Sequence, residues 1–263
     1  MPELPEVESF KKYFDNTSLN QTIKQVDVSH PNILGKVTEQ ELQRRLPGHI
    51  FEETKRHGKY LFTRMDSNLW LIFHFGMTGS LFFTEKHSEL PSHTRFLITF
   101  DSGSYLAFNC PRMFGKLNLA EDINSFIKDK KLGYDALTVD YTTFKTSLKT
   151  RRGAIKSVLM NQQVFAGVGN IYADEIMYQI GVHPTTPIQT LSTKHLKQMY
   201  DVMQQVLKTS IDTQANFQKL PNSYIILQRS KNGCCPRCHS SMENIKISGR
   251  TTYYCPNCQQ IPS

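Results

Sequence analysis

The stretch AIKSVLMNQQVFAGVGNIYADEIMYQIG, residues 154–181, decides the fold of this chain. Its beginning, AIKSVLMNQQ, and its end, IYADEIMYQIG, each predict a helix, and the glycine-punctuated segment FAGVGN between them predicts a turn. Gly181 and Pro184 are typical of a helix terminus. The sequence therefore predicts two helices joined by a tight turn.

A longer helix is predicted C-terminal to this pair. Ser192 is a typical N-cap residue, and the helix that follows it carries apolar residues on one face: Leu196, Met199, Met203 and Val206. From about Pro221 the chain becomes irregular. We expect a helical domain over residues 133–220 and a separate C-terminal element over residues 221–263.

Towards the N-terminus, short β-type runs replace the helical pattern. Examples are YLFTRM, LWLIFHF and RFLITF, the last followed by the turn DSGS and by YLAFN. The opening segment, from Pro2 to about Asn16, has apolar residues at helical spacing, and a polar stretch around residues 122–131 ends the region. The expected fold class is therefore α+β, with a mostly antiparallel β domain over residues 1–132.

The net charge narrows the class of partner. The chain has 263 residues, enough for two domains, and its 31 basic and 23 acidic residues give a net charge of +8. Such an excess suits a polyanion, either a nucleic acid or an anionic membrane. The N-terminus has no apolar core run, and His74 interrupts the longest apolar stretch, so neither a secretory signal nor a membrane-spanning helix is predicted.

Five of the six cysteines lie between Cys234 and Cys258, which argues against a disulfide framework and for a local metal site. The predicted ligands form two CxxC pairs: Cys235, Cys238, Cys255 and Cys258. Four thiolates leave no position for substrate, so one structural Zn²⁺ per chain is expected to stabilise the fold without taking part in chemistry. Four free buried thiols are the alternative.

The segment KISGRTTYY between the two pairs can form a hairpin, with Arg250 near its tip. A guanidinium beside small hydroxyl residues is suited to bind phosphate, and a solvated surface arginine is the alternative.

Six blocks occur together in this chain: PELPEVE, RHGKYLF, HFGMTGSL, CPRMFGK, AGVGNIYADE and CPNCQ. In this order they resemble the formamidopyrimidine-DNA glycosylase and endonuclease VIII family, and the PELPE form is closer to the formamidopyrimidine branch. The resemblance implies an N-terminal β-sandwich flanked by helices, a helix-two-turns-helix domain, a zinc hairpin, and damaged double-stranded DNA bound between the lobes. It also implies a base-excision repair enzyme, a glycosylase that removes an oxidised base and then, as an AP lyase, cleaves the strand by β,δ-elimination.

Pro2 is the nucleophile that the resemblance implies. Once Met1 is removed, as a following proline permits, the secondary amine of Pro2 can attack the anomeric carbon of the sugar and form an iminium, an electron sink for eliminating phosphate. An α-amino group titrates near pH ~8, so a neutral fraction exists at physiological pH. Without the other blocks, Pro2 is simply a proline at a helix start.

Glu3 resembles the family's general acid, which protonates the sugar or the base as the glycosidic bond breaks. A carboxylate in the first turn of a helix is equally suited to the helix dipole. Glu6, one turn later, is a second candidate carboxylate, with a solvated helix position as its alternative.

Lys59, Asn170 and Arg250 resemble the family's contacts to the backbone of the extruded nucleotide. Lys59 is implied to touch the target phosphate and assist elimination, and Arg250 to be linked to the second elimination. Asn170 is expected at a helix start, where backbone amides bind phosphate. Considered alone, Lys59 is an ordinary strand lysine.

Met77, Arg112 and Phe114 match the three family residues that fill the gap left by the extruded base. The aromatic ring is expected to wedge between base pairs, and the arginine to read the partner base. As strand residues, Met77 and Phe114 are alternatively part of the core. His93 and Arg152 resemble further DNA contacts.

Three departures from the family pattern bear on substrate choice. Cys110 and Met113 stand where the family has an aspartate and a second arginine, so partner-base preference is expected to differ. Asn161 stands where an aspartate is common. Only about twenty residues separate the end of the last predicted helix from Cys235, so the loop that covers flipped 8-oxoguanine in many relatives is expected to be shortened or altered. Formamidopyrimidines and oxidised pyrimidines are therefore open as substrates beside 8-oxoguanine.

Two other functions compete with this enzyme: a noncatalytic lesion-binding zinc protein and a general zinc-hairpin nucleic-acid module. Pro2, Glu3 and Lys59 favour the enzyme, because a pure binder needs none of them, and a hairpin module does not explain the N-terminal block. We expect an intracellular, cytoplasmic or nucleoid-associated monomer with no membrane partner.

Overall fold

The structure, a computed structural model, describes residues 1–261 and divides into two compact units. The first unit contains Met1–Pro2 and Glu6–Lys130, and the second contains Glu3–Pro5 and the chain from Lys131 onward. The division into three domains, with boundaries at residues 132 and 220, stays a prediction.

The described residues form strands mainly in the N-terminal half and helices mainly in the C-terminal half. The strands are β1 (Ile23–Val28), β2 (Phe51–His57), β3 (Tyr60–Met65), β4 (Trp70–His74), β5 (Ser80–Thr84), β6 (Thr94–Phe100), β7 (Tyr105–Asn109), β8 (Lys116–Ala120), β9 (Tyr134–Asp135), β10 (Phe165–Ala166), β11 (Glu243–Ile247) and β12 (Arg250–Tyr254). The helices are α1 (Leu4–Thr17), α2 (Glu39–Arg45), α3 (Ile123–Asp129), α4 (Tyr141–Leu148), α5 (Ile155–Leu159), α6 (Asn170–Gln179) and α7 (Thr193–Asp212).

The first unit consists of two four-stranded antiparallel sheets, with strand orders β1-β6-β7-β5 and β2-β3-β4-β8. Both sheets contribute to one apolar core, which includes Phe96 and Phe108 from the first sheet and Phe73 and Leu117 from the second. Helix α1 adds Phe14 to this core. The α+β class and the antiparallel N-terminal sheets are therefore confirmed.

Two short helices, α2 and α3, lie in segments where no helix was predicted from the sequence. Helix α2 begins after a capping box formed by Thr38 and Glu41, a signal that local sequence carries. Helix α3 occupies the polar stretch, where Asp122 accepts a hydrogen bond as its N-cap and Phe126 packs against Phe62 on the outer face of the second sheet. Only one side of this stretch is polar, and the sheet supplies the apolar surface that its other side needs.

The second unit contains the helices predicted from the central stretch. Helix α5 is shorter than predicted and is followed by β10, which pairs in parallel with β9. Ser192 caps α7 by accepting from the N–H of His195 at 3.2 Å, and Met199, Met203 and Val206 are buried in the helical core. The predicted N-cap and apolar face of α7 are confirmed.

Strands β11 and β12 form the predicted hairpin, in which Ile247 pairs with Arg250 across a turn made by Ser248 and Gly249. Both turn residues have positive φ, 48° and 72°, as a two-residue hairpin turn requires, and glycine adopts such a conformation at little cost. Among the described residues, no helix combines the length and apolarity needed to cross a membrane.

Candidate active site

The carboxylate of Glu3 is buried against the N-terminus of α6. Glu3 is 1% exposed, and it accepts backbone N–H bonds from Gly169 at 2.7 Å, Ile171 at 2.9 Å and Tyr172 at 3.3 Å. These N–H groups lie in the first turn of a helix, where no intrahelical acceptor is available, and the helix dipole favours a negative charge there. Glu3 therefore interacts with the dipole of α6 rather than with that of its own helix.

A second contact fixes the chain beside Glu3. The N–H of Leu4 donates to the carbonyl of Gly167 at 3.1 Å, and a Cβ on Gly167 would lie 2.5 Å from the side chain of Leu4. Glycine is required at this position, which also has a φ of 118°. Half-buried Pro2 is the chain neighbour of Glu3, and Met1 before it is exposed.

A buried polar network that was not predicted from the sequence holds α6 against β12. Lys156 and Asp174 are fully buried, with 2.7 Å between Nζ and Oδ1. Asp174 Oδ2 also accepts from Arg229 Nη2 at 2.8 Å and from the N–H of Tyr253 at 3.1 Å. Burial lowers the pKa of Lys156, and the Asp174 carboxylate opposes that shift. The available signal was the charge inside each apolar helix, one in AIKSVL and two in YADEIM, since charges are rarely buried unless they are paired.

Lys156 also links Asn170 to the hairpin. Its Nζ donates to Asn170 Oδ1 at 2.6 Å and to Thr252 Oγ1 at 2.7 Å, and Asn170 Nδ2 donates to the carbonyl of Thr251 at 3.1 Å. Asn170 is the first residue of α6, as predicted, and exposed Arg250 begins β12. The second unit thus brings Glu3, Asn170 and the strand of Arg250 together through α6.

Lys59 lies in the turn between β2 and β3, where Gly58 has a φ of 56°. It is 8% exposed, more buried than an ordinary strand lysine. Burial lowers the pKa of His74 on β4 to about 4, and the charges of Lys59 and Lys130 add to that shift. His74 is therefore neutral at physiological pH.

The three predicted gap-filling residues lie on two loops of the first unit that touch each other. The N–H of Arg112 donates to Thr78 Oγ1 at 3.4 Å, and a Cβ on Gly76 would lie 2.3 Å from the Phe114 backbone. Phe114 is 53% exposed, with the Arg112 guanidinium 5.2 Å from its ring centroid. Phe114 is therefore not a core residue, and half-buried Met77 lies on the first of these loops.

His93 and Arg152, the two further predicted DNA contacts, are both exposed. His93 Nδ1 lies 3.4 Å from Arg95 Nη2, and Arg152 donates to the carbonyl of Arg151 at 3.0 Å. Exposure is compatible with the predicted role of each, and that role stays a prediction.

The four predicted metal ligands meet in one cluster. Their sulfur atoms lie within 4.8 Å of one another, with 3.7 Å between Cys235 and Cys258 and 3.5 Å between Cys238 and Cys255. Tetrahedral zinc, with bonds of about 2.3 Å to each thiolate, places its sulfurs about 3.8 Å apart, so the donor set fits zinc. The four cysteines therefore support a structural zinc, and Cys234 is not part of the cluster.

The cluster is fastened to the C-terminus of α6. Arg237, within the first CxxC pair, donates to the carbonyl of Tyr178 at 3.0 Å and to Gln179 Oε1 at 2.7 Å. A positive charge at a helix C-terminus is favourable. The same helix therefore contacts Glu3 at one end and the cysteine cluster at the other.

The segment that joins α7 to the cluster is folded onto the second unit. Tyr224, Ile225 and Ile226 are buried, and the N–H of Ile225 donates to Glu175 Oε2 at 2.8 Å. Burial raises the pKa of Glu175 to about 7. This segment is held by side chains of α6 and is not an extended loop.

Comparisons with known proteins match three parts of the chain. The Formamidopyrimidine-DNA glycosylase N-terminal domain matches residues 1–117, the Formamidopyrimidine-DNA glycosylase H2TH domain matches residues 132–221, and the zinc finger found in FPG and IleRS matches residues 235–261. Together these matches cover most of the sequence.

Individual relatives extend the similarity over the full length. The formamidopyrimidine-DNA glycosylase of Ureaplasma parvum is 33% identical over 279 residues, covering 98% of this chain and 100% of that protein. The one from Moorella thermoacetica is 34% identical over 264 residues, covering 99% and 93%. Among solved structures, Lactococcus lactis Fpg in complex with DNA containing an abasic site has a TM-score of 0.88 at 27% identity and covers 98% of this chain and 99% of that one.

Proposed function

This chain belongs to the formamidopyrimidine-DNA glycosylase family and is a DNA glycosylase of base-excision repair, and from that premise we propose that it releases an oxidised base through an imine with Pro2 and then cleaves the strand by β,δ-elimination. The observation that carries the proposal is the burial of Glu3, which ties the start of the chain to the first turn of α6. Charged residues are rarely fully buried unless they are paired, and Glu3 is paired with the N–H groups at the start of α6, one residue from Pro2.

The reaction uses the amine that Pro2 gains once Met1 is removed. The nitrogen lone pair attacks C1′ of the damaged nucleotide, the bond from C1′ to the base breaks, and the base leaves with a proton from a general acid. The attacking nitrogen then loses its proton, and the sugar ring opens: the bond from C1′ to O4′ breaks, O4′ takes up a proton, and an iminium forms between Pro2 and C1′. Removal of a C2′ proton expels the 3′ phosphate, and a second elimination expels the 5′ phosphate.

Glu3 is our candidate for the general acid. The position of Glu3, one residue from Pro2, supports this role, and the three N–H donors at the start of α6 stabilise the carboxylate once its proton has been transferred. The same negative charge, one residue from Pro2, also suits the positive iminium.

Lys59, Asn170 and Arg250 are our candidates for holding the phosphates of the extruded nucleotide. The contacts among Lys156, Asn170 and Thr252 support the last two, since they fix the start of α6 relative to the strand that begins at Arg250. Glu3 already accepts from three N–H groups there, so we assign the phosphate contact to the side chains rather than to those amides.

Formamidopyrimidine is our candidate for the preferred lesion. The alignment with the Ureaplasma parvum enzyme has 279 positions, more than the 263 residues of this chain, so this chain lacks some positions that the relative has. The segment before the cysteine cluster is also held down by Glu175. A ring-opened base stacks weakly and costs less to extrude than 8-oxoguanine, so it needs less cover. Oxidised pyrimidines are the second candidate.

The four cysteines fit zinc, which when bound would cross-link the two CxxC pairs that precede and follow the hairpin of β11 and β12. Cys235, Cys238, Cys255 and Cys258 would hold it. Through Arg237 and the network around Asp174, the hairpin then keeps Arg250 in place for phosphate binding.

We further propose that the protein is a monomer and that it acts on nucleoid DNA.

A product analysis on defined duplexes tests this function. Mass spectrometry first verifies that the protein lacks Met1. The duplexes carry formamidopyrimidine, 8-oxoguanine, an oxidised pyrimidine or an abasic site. We expect formamidopyrimidine to be released fastest and both new DNA ends to carry phosphate. Binding of every duplex without base release would favour the noncatalytic lesion-binding protein instead.

A further inference from the structure

The loop of residues 110–115 carries two of the three gap-filling side chains on a short, tightly bent backbone. Arg112 and Phe114 are exposed, and Met113 between them has a φ of 53°. A left-handed conformation is uncommon for methionine and persists only where neighbouring contacts impose it. Something in the loop must therefore hold this backbone in place.

Cys110 supplies these contacts through all of its polar groups. Its N–H donates to the carbonyl of His93 at 3.0 Å, and its carbonyl accepts from the N–H of Met113 at 3.2 Å. Its Sγ accepts from the N–H of Gly115 at 3.4 Å, which closes the loop on itself. One residue thus holds the middle and the far end of the loop.

The packing around this sulfur leaves little freedom. Cys110 is fully buried in the core shared by the two sheets, and a Cβ on Gly115 would lie 3.0 Å from Sγ and 2.6 Å from the ring of Phe108. Removing the sulfur takes an acceptor from the N–H of Gly115 and opens a cavity beneath it. The cavity would lie directly under the backbone that presents Phe114.

We propose that Cys110 is a positioning residue for Arg112 and Phe114, and that through them it sets how strongly the enzyme discriminates among the bases opposite the lesion. The inference rests on the proposed function, in which Arg112 reads the partner base and Phe114 is the wedge. It extends that function to a buried residue that touches neither the DNA nor the reacting atoms.

The test compares excision from duplexes that differ only in the base opposite the lesion. Single-turnover excision rates are measured opposite each base for wild type, Cys110→Ala, Cys110→Ser and Ile98→Val. The partner ratio is the rate opposite the fastest base divided by the rate opposite the slowest base. Ile98 is a matched control, because it is fully buried in the same core but lies in the middle of β6. Cleavage of a single-stranded abasic oligonucleotide, which has no partner base, reports the chemistry separately.

Losing an acceptor for a buried N–H is expected to lower the partner ratio of Cys110→Ala about fivefold or more. Its rate on the single strand should stay at the wild-type value. Cys110→Ser keeps an oxygen acceptor, so its partner ratio should lie between those of wild type and Cys110→Ala. This variant tests the inference if Cys110→Ala does not fold.

Three results would overturn the inference: a wild-type enzyme with no partner preference, a Cys110→Ala ratio equal to that of Ile98→Val, or a loss of single-strand cleavage equal to the loss on duplexes. Failure of the wild type to release any base would instead reject the proposed function.

Discussion

Asp174→Asn is predicted to be among the most damaging single-atom changes available in the second unit. The carboxylate is fully buried, and it accepts from Arg229, from the N–H of Tyr253 and from Lys156. Asparagine keeps the shape but removes the charge. Its NH₂ group also places a donor against one of the donors that now face Asp174.

The magnitude follows from the position of Lys156. This ammonium is fully buried, and removing one partner of a buried ion pair costs about 3–5 kcal/mol. The cost has a ceiling, because Lys156 can lose its proton, and deprotonating an ordinary lysine at pH 7 requires about 5 kcal/mol. Hydrogen bonds to Asn170 and Thr252 remain. We therefore expect a loss of about 3 kcal/mol in the free energy of unfolding.

Urea unfolding followed by circular dichroism measures this loss, and Asp201→Asn is the matched control. Asp201 pairs with Lys197 on the exposed face of α7, where both side chains are about half exposed. A pair of this kind contributes about 0.5 kcal/mol. Because the network also fixes Asn170 and β12, Asp174→Asn should weaken binding to an abasic duplex below the unfolding transition, whereas Asp201→Asn should not.

Equal stability of Asp174→Asn and Asp201→Asn would refute this reasoning. Adding Lys156→Met to Asp174→Asn refines the test, because the double variant leaves no buried ammonium. It should be more stable than the sum of the two single losses predicts, since the two residues are in contact.

Three further predictions concern the hairpin, the DNA footprint and pH. Cys238→Ser should lower zinc content, measured by atomic absorption, and weaken DNA binding, and unchanged affinity in zinc-free protein would show that the metal is dispensable. About four to six phosphate contacts should give a slope of roughly −4 to −5 for log K against log salt, and a flat titration would contradict a footprint dominated by phosphate. Burial raises the pKa of Glu175 from 4.5 to about 7, so its contribution to stability is complete below pH 4.5 and is lost as pH rises to 7. That loss in the free energy of unfolding is up to about 3 kcal/mol. The free energy of unfolding of Glu175→Gln, measured across the same pH range, should not show this decrease.

Local sequence signals predicted the elements that local contacts form. The N-cap at Ser192 and the start of α6 at Asn170 lie where their sequences indicate. The tight hairpin turn also follows from a few adjacent residues, Ser248 and Gly249. The four cysteines could also be identified as metal ligands from the sequence, because their spacing is itself the signal of a metal site.

Contacts between distant segments were not predictable in the same way. The partners of Glu3 lie more than 160 residues away, so sequence alone could not show that its carboxylate ends at α6 rather than at its own helix. Lys156, Asp174 and Arg229 come from three segments and meet only in the folded second unit. Helix α3 was missed because the sheet, not the segment itself, supplies its apolar partner.

Borohydride trapping on a duplex with a plain abasic site tests the central claim, imine formation at Pro2, most directly. Reduction of the iminium gives a stable covalent adduct between protein and DNA, which gel mobility and peptide mass spectrometry detect. We predict an adduct at Pro2 in protein that lacks Met1, and none in protein that retains Met1. An adduct of equal yield at a lysine, or no adduct from processed protein that binds the duplex, would contradict the account.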